Sequence, residues 1–495
     1  MQLFEVLDGT EMDMTYQTVI GQTEINGITC DSRQVGPGFI FAALPGSNLD
    51  GRDYIKNAIS RGAVCVLAPS ETNFPRGAID SLTGSPVSLL RHSNPRRQYA
   101  LMASLFYEGQ PKTICAVTGT NGKTSVVTFL SQIWAGLGYN AASMGTLGIS
   151  AEGFESKGKM TTPDSVELHR NLRDLSNSGI DHLALEASSH GLHQHRLDGV
   201  RIKAGAFTNL SQDHLDYHGS MDKYLASKLR LFTEIIASDG SVVINKDGEY
   251  ADAVEAVCRN RGLKVISYGE KNADICLNAN EIVSGGHLLE VIVFGACIKV
   301  HLPLIGDFQV SNTLAAAALA IADGDNPEQV ITQFEKIKGA PGRMELVGQS
   351  TKGALVFVDY AHTPDALLNV LRALRPHVTN KLHLVFGCGG GRDPGKRSVM
   401  GALAHSLADV VIITDDNPRN ESPSKIRAQV LAGAPSAIEI SNREEAIHKS
   451  VLALEKGDVL VIAGKGHEIE QHVKNDIRPF NDISVARNAI ERQLV

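Results

Sequence analysis

Ile114-Cys115-Ala116-Val117-Thr118-Gly119-Thr120-Asn121-Gly122-Lys123-Thr124 is an apolar run that empties into a glycine-bearing loop ending in Gly-Lys-Thr. The apolar run predicts a buried strand, and the two glycines let backbone N–H groups approach an anion closely. A helix would begin at that anion. On this reading Lys123 meets the β- and γ-phosphates of a nucleotide, and the Thr124 hydroxyl reaches a magnesium ion. Downstream, Val126, Phe129, Leu130, Ile133, Trp134 and Leu137 recur at helical spacing and form one apolar stripe. The loop is short, because the pattern G-x-x-x-x-G-K-[ST] asks for glycine where Val117 stands. A surface turn that happens to contain Gly-Lys-Thr would need neither the strand before it nor the amphipathic helix after it.

At 495 residues the chain exceeds what one hydrophobic core organises, so several domains are expected. Three fit best, at residues 1–90, 91–338 and 339–495. With 43% apolar and 21% charged residues, the chain falls among ordinary globular proteins and outside the disordered class. A net charge of -8 argues against a general nucleic-acid or membrane-surface binder, and small molecules are the expected partners of a monomer. The seven cysteines are scattered and lack C-x-x-C spacing, so neither a disulfide framework nor a zinc site is expected and a reducing cytoplasm fits. Met1-Gln2-Leu3-Phe4-Glu5 carries no basic export region. The longest apolar run, Leu314 to Ala322, falls far short of the ~20 residues that cross a bilayer.

Residues 1–90 hold short apolar segments, including Phe39 to Leu44 and Ala63 to Leu67, between turns containing glycine and proline. A small α/β domain is expected, in which Cys30-Asp31-Ser32-Arg33 and Ser47-Asn48-Leu49-Asp50-Gly51 form binding loops or plain turns. In 91–338 further strands are predicted at His182 to Glu186, Ala204 to Phe207 and Ser241 to Ile244, alternating with helices. That order predicts a mainly parallel sheet with helices on both faces and ligands beyond the carboxyl ends of the strands. Glu186 and Thr208-Asn209 would emerge there. Residues 339–495 repeat the alternation, with strands near Ala354 to Val358, Leu382 to Phe386, Val410 to Ile413 and Val459 to Ile462, and predict a Rossmann-like domain. Their ends carry Asp359-Tyr360-Ala361-His362, Gly387-Cys388-Gly389-Gly390-Gly391-Arg392, Thr414-Asp415-Asp416-Asn417-Pro418-Arg419 and Gly464-Lys465-Gly466-His467-Glu468. Four polar clusters on one rim suggest a site.

A carboxylate such as Glu186 and an imidazole such as His214, set against the nucleotide loop, suit magnesium's second shell or an adjacent divalent site, although magnesium prefers oxygen. Read singly, each residue has a plainer role. Glu186 would be a strand-end carboxylate facing water, His214 a hydrogen-bonded histidine in a turn, and Lys228 a helix-surface lysine with its stem on apolar neighbours.

Taken together, these motifs resemble the Mur ligase family of bacterial cell-wall synthesis, and the likeness runs along nearly the whole chain. It rests on Thr118-Gly119-Thr120-Asn121-Gly122-Lys123-Thr124, Glu186-Ala187-Ser188-Ser189-His190-Gly191-Leu192, Asp213-His214-Leu215-Asp216-Tyr217-His218-Gly219, Gly342-Arg343 and Asp359-Tyr360-Ala361-His362-Thr363-Pro364-Asp365. The resemblance implies that a substrate carboxylate attacks the γ-phosphate of ATP, giving an acyl phosphate that an amine displaces. Lys123 and magnesium would neutralise the repulsion between the two anions. By the family pattern Thr124 and Glu186 serve one magnesium and His214 a second. Lys228 matches a lysine carbamylated by carbon dioxide, which helps hold that second ion. The loop residues would cradle the phosphates, with Asn312 near adenine and Arg343 and Asp359 near ribose and phosphates. For Asn312, capping of a helix over Leu314 to Ala322 is an alternative.

The same resemblance lays UDP-MurNAc-L-Ala-D-Glu across the first domain and the central cleft, on Cys30, Ser32, Ser47, Asn48, Leu49, Thr161, Thr162, Ser188, Gln194 and Arg196. Arg196 is physically the clearest of these, since a guanidinium fork suits a carboxylate or phosphate. Cys30, Met160 and Ser47-Asn48 differ from what relatives often carry, so backbone contacts are expected there. Asp416-Asn417-Pro418-Arg419 resembles the signature of members that add meso-diaminopimelate in place of lysine, with Arg392, Gly464 and Glu468 completing the pocket. Charge agrees: Arg419 and Arg392 can pair carboxylates, while Glu468 and Asp416 can receive an ammonium. Lysine would leave an arginine unpaired, and sites built around a polar group reject analogues lacking it by about 10⁴ or more.

Two rivals share part of the pattern. A folate-polyglutamate ligase has the same Gly-Thr-Asn-Gly-Lys-Thr loop, but the full-length first domain and Asp416 to Arg419 argue against it. In a nucleotide-dependent switch, Asn245-Lys246-Asp247-Gly248 would be a guanine-recognition motif, yet it lacks the residue between lysine and aspartate.

Overall fold

The structure is a computed structural model, which describes residues 1–492 apart from 9–22, 47–48, 76–77, 79–85, 152, 157, 159 and 284. Among the described residues the strands form three main sheets, the first of which runs through Ser88–His92 and so passes the expected boundary at residue 90. The first is parallel throughout, in the order Gly27–Thr29, Phe39–Ala42, Ala63–Pro69 and Ser88–His92. The helix Pro95–Phe106 closes it. Its start follows from the sequence, with the Asn94 side chain accepting from Arg97 N at 3.1 Å and proline in the first turn. This helix packs on the first sheet and on the central-domain helix Ser165–Asn177, joining the two domains.

The central sheet is built around the predicted strand, which runs Thr113–Thr118. Parallel neighbours flank it in the order Ala141–Gly145, His182–Glu186, Thr113–Thr118, Ala204–Phe207, Ser241–Asn245 and Lys264–Gly269. Register fixes the site: Val117 lies opposite Glu186, and Thr118 opposite Phe207. The phosphate loop, the Glu186 carboxylate and Thr208-Asn209 therefore leave the sheet at one level. The helix Lys123–Gly136 buries Val126, Phe129, Leu130, Ile133 and Trp134 against the sheet. Each such side chain contributes about 1.5–3 kcal/mol of apolar burial.

The sheet is more mixed than the sequence predicts. An antiparallel meander, Ile275–Val283, Gly286–Val293 and Ala296–Leu302, extends one edge, and Gly148–Ala151 with Phe154–Ser156 extends the other. These strands alternate between buried and exposed positions, which masks them beside the continuous apolar runs of a doubly covered sheet. The run Leu314 to Ala322 belongs to the helix Asp307–Asp323, most of which is buried.

The third sheet has the order Glu345–Gln349, Leu355–Asp359, Val459–Ala463, Leu382–Phe386, Val410–Ile413 and Ile438–Glu439, parallel except for its first strand. Separate apolar clusters cover its two faces, as a doubly wound domain requires. The four predicted polar clusters follow Asp359, Phe386, Ile413 and Ala463 on one rim. A hairpin, Glu470–Val473 and Asp476–Pro479, lies beside that rim and was not predicted. Among the described residues no helix is long and apolar enough to cross a membrane.

Candidate functional site

The rims of the central and third sheets face each other across a cavity of about 660 Å³. From the central side it is lined by Thr120, Asn121, Gly122, Lys123, Thr124, Thr161, Glu186, His214 and Asn312. The opposite wall presents Arg343, Asp359, Arg392, Asp416, Asn417, Arg419, Gly464 and Glu468. The residues that the sequence assigns to the nucleotide and to the amine thus meet in one cleft, whereas among the described residues assigned to the UDP-sugar dipeptide only Thr161 lines it.

The missing glycine of the loop has a structural reason. Val117 is a fully buried strand residue, so the turn begins only at Gly119. Gly119 and Gly122 have φ of +144° and +88°, and a Cβ would come within 1.9 Å of Thr208 Oγ1 and 2.4 Å of Asn312 Oδ1. Only glycine fits this cradle. Lys123 Nζ donates to the carbonyls of Gly119 at 2.9 Å and Thr120 at 2.8 Å. Thr118 and Gly119 stand behind the loop; among the described residues the buried Thr118 hydroxyl has no partner.

Glu186 does not face water: it is 1% exposed and accepts from Thr124 Oγ1 at 3.0 Å, Thr146 N at 2.8 Å and Thr146 Oγ1 at 3.1 Å. Hard oxygen donors thus gather beside the phosphate loop, as magnesium requires. Among the described residues no group of three or more His, Cys, Asp or Glu side chains converges as a metal set. His214 has a left-handed backbone with φ 54°, and its ring stacks edge-on to His190 at 4.8 Å. Burial, against the pull of Asp213, holds its pKa down at about 3.

Lys228 is not a surface lysine. It is 1% exposed, its Nζ donates to Gly119 O at 2.7 Å, and it lies 4.4 Å from the centre of the Tyr224 ring. Two lysine amines therefore share one carbonyl. Burial and then the charge of Lys123 push the Lys228 amine well below its ordinary pKa.

Asn312 is not a helix cap either, since it lies inside Asp307–Asp323 with its side chain against Gly122. Arg343 stacks 4.2 Å from the centre of the Tyr360 ring and donates to Thr124 Oγ1 at 3.1 Å, so it reaches the phosphate loop from the far wall. Asp359 accepts from Met344 N at 2.6 Å and Ala361 N at 2.7 Å, and burial raises its pKa.

Beside Glu186 a polar chain leads away from the cleft. Thr162 Oγ1 donates to Glu186 O at 2.8 Å, Ser188 N donates to Thr162 Oγ1 at 3.0 Å, and Arg196 donates to Thr162 O at 2.7 Å and Gln194 Oε1 at 2.8 Å. Arg196 also feels the charges of Asp164 and of Arg96, the latter on the helix Pro95–Phe106 that closes the first sheet, which carries the path toward the first domain. There Ser32 is buried and Leu49 is exposed, and neither lines the cavity. Ser47 and Asn48 lie outside the described residues.

In the third domain, Asn417 donates to Glu468 Oε2 at 2.8 Å, and Arg419 donates to Gly390 O at 2.8 Å. Pro418 is buried behind them. Two residues were given no role in the sequence, although Lys465 lies in one of the polar clusters. Lys465 is fully buried and donates to Glu468 Oε2 at 2.7 Å, Asn417 Oδ1 at 3.2 Å and Glu470 O at 2.6 Å. Thr146 follows the strand Ala141–Gly145 and holds Glu186. Both sit at carboxyl ends of parallel strands, the rule that marked the others.

Comparison with known proteins agrees with this geometry. Family models described as Mur ligase family, catalytic domain; Mur ligase middle domain; and Mur ligase, glutamate ligase domain match residues 24–107, 117–320 and 342–466. A UDP-N-acetylmuramoyl-L-alanyl-D-glutamate--2,6-diaminopimelate ligase of Rhizobium meliloti is 48% identical over 467 residues, 94% of each chain. The chain belongs to the Mur ligase family. A relative of the same description from Mesorhizobium japonicum is 46% identical, covering 96% of this chain and 97% of its own. A solved structure of a ligase so described is 33% identical, with a TM-score of 0.70 over 100% of this chain and 99% of that one. In this member of the family Glu186 and Arg343 both reach Thr124 of the phosphate loop, and Lys228 reaches Gly119.

Proposed function

We propose that this Mur ligase joins meso-diaminopimelate to the D-Glu carboxylate of UDP-MurNAc-L-Ala-D-Glu, using ATP, in the synthesis of peptidoglycan precursor. The observation that carries the reading is the single cleft, in which the phosphate loop and Glu186 face Arg392, Asp416, Asn417, Arg419, Gly464 and Glu468. A carboxylate, a triphosphate and an amine can meet there.

The dipeptide carboxylate would enter along Arg196, Ser188 and Thr162, which end at Glu186. Lys123 holds the β- and γ-phosphates, while Arg343 bridges the loop and the nucleotide from the far wall. Magnesium, held by Thr124 and Glu186 with His214 beside a second ion, would neutralise phosphate charge when bound. His214, kept neutral by burial, retains a ring lone pair for that task. Carbon dioxide reacts with a neutral amine, and burial together with Lys123 keeps Lys228 in that form. Carbamylation would turn that neutral amine into an anion beside the Lys123 ammonium, an attraction where a charged Lys228 would be repelled.

On the amine side, Glu468 and Asp416 receive the distal ammonium and Arg419 with Arg392 the distal carboxylate. Asn121 Nδ2 donates to Asp365 Oδ2 at 2.8 Å across the cleft, so the walls already touch, and fuller closure on the substrates would keep water from an acyl phosphate. Assaying amide formation with diaminopimelate, lysine and glutamate side by side tests the reading: diaminopimelate is expected to exceed the others by about 10⁴ or more in kcat/KM. Comparable rates with lysine would overturn the assignment of the third substrate.

A further inference from the structure

Lys396 stands in the first turn of the helix Gly395–Leu407 and lines the cleft from the third domain. Only 9% of its surface is exposed. Among the described residues no acceptor lies within hydrogen-bonding or ion-pairing distance of its ammonium. Its neighbour Arg397 shows the contrast, donating to Glu421 Oε1 at 2.7 Å, Glu421 Oε2 at 2.8 Å and Gly389 O at 3.1 Å. One cation of the helix is spent on structure and the next is left free.

An unpaired buried ammonium is costly, so its retention points to an anion that joins it. Its position says which. The charge of Lys396 acts on Asp213 across the cleft and on Cys388 and His362 of its own domain. It therefore lies between the wall that carries the phosphate loop and the loop Gly387–Arg392 beside the amine pocket. Lys123 and Lys396 face this space from opposite sides.

We infer that Lys396 is a catalytic cation, its ammonium pairing with the anionic oxygens of the acyl phosphate from the amine-bearing wall. This inference rests on the ligase reading above. In the first step the substrate carboxylate oxygen bonds to the γ-phosphorus as the bond to the bridging oxygen breaks, and ADP leaves with the electron pair. In the second the amine nitrogen bonds to the acyl carbon, phosphate departs with the electrons of the carbon–oxygen bond, and the nitrogen loses a proton. Lys396 keeps its three protons throughout and stabilises the charge that passes to inorganic phosphate. Because it shares a wall with the amine pocket, its loss falls on turnover more than on ATP binding.

Lys396→Met keeps the stem and removes the charge, whereas Lys396→Arg keeps the charge. With ATP, magnesium, UDP-MurNAc-L-Ala-D-Glu and diaminopimelate, K396M is expected to lose about 100-fold or more in kcat while the KM for ATP stays within about threefold. K396R is expected to recover at least about a tenth of the wild-type rate, a rescue that a packing role would not produce. Calorimetric titration with ADP checks that each variant is folded; Lys396→Gln, judged by the same criteria, replaces K396M if that variant fails to bind. A K396M kcat within about threefold of wild type, or equal losses in K396M and K396R, would overturn the role. Wild-type protein that forms no amide from these substrates would instead overturn the ligase reading, and this inference with it.

Discussion

At Lys228 the same atoms serve packing and chemistry. Its amine is buried against Gly119 O, 2.7 Å away, on the carbonyl that Lys123 also uses. Lys228→Ala removes the amine that would be carbamylated, so kcat is expected to fall by about 100-fold or more, while ADP still binds. Added bicarbonate should not restore it, because no amine remains to react. Steady-state rates with and without bicarbonate check this, and a variant of normal activity would remove Lys228 from the mechanism. Sequence reading by side-chain type makes such a lysine a surface residue, since an ammonium at helical spacing is ordinarily solvated. Burial of this one depends on Tyr224 and the Gly119 turn, which lie close only in the folded chain.

Among the elements, the hairpin Glu470–Pro479 braces the amine pocket. Asn417 Oδ1 accepts from His472 N at 2.9 Å as well as from Lys465, and Arg419 N donates to His472 O at 3.0 Å. These bonds hold Arg419 in a left-handed conformation, φ 51°, a position unusual for a long side chain. Lys465→Met takes a charged donor from Glu468 and Asn417 at once. The KM for diaminopimelate is expected to rise roughly 30-fold, about 2 kcal/mol, with the KM for ATP nearly unchanged. Hydrogen exchange should quicken across residues 470–479, and equal KM changes for both substrates would contradict the bracing role. A second element, the helix Ser165–Asn177, carries the fully buried His169, whose Nε2–H donates to Asp198 O at 3.0 Å. Burial lowers its pKa from 6.5 to about 4, so the unfolded chain binds the proton more tightly. Its contribution, about 3 kcal/mol, is complete above the unfolded pKa and is lost as pH falls toward 4. His169→Gln should therefore show a smaller drop in Tm between neutral and mildly acidic buffer than the wild type, measured by scanning calorimetry.

On the scale of the whole molecule, three domains are joined by a few polar bridges and by packing of Ile305 and Phe308 on a core cluster of the third domain. Asn121 to Asp365, Gln212 to Asp393 at 3.1 Å and Arg343 to Thr124 span the cleft, while the first domain meets the central one through the helices Pro95–Phe106 and Ser165–Asn177. A nucleotide bound in the cleft stabilises the two domains that touch it. At one hundred times its Kd, ADP with magnesium is expected to add about 2.7 kcal/mol, raising the Tm of the central and third domains and leaving the first domain's transition in place. An equal shift of every transition would mean that the three domains unfold as one unit.

The sequence by itself determined the phosphate loop, the strands that end at it and the polar clusters of the third domain, because these are local: apolar period, glycine position and strand-end polarity are written in consecutive residues. The folate-polyglutamate and switch readings were separated by motifs of the same local kind. The antiparallel meander, the hairpin and the roles of Lys396, Lys465 and Thr146 were decided only by tertiary structure. A strand with one wet face carries a weaker apolar signal, and a lysine looks solvated until distant segments close over it. Whether its ammonium is paired, as in Lys465, or left facing the cleft, as in Lys396, depends on acceptors far away in the chain.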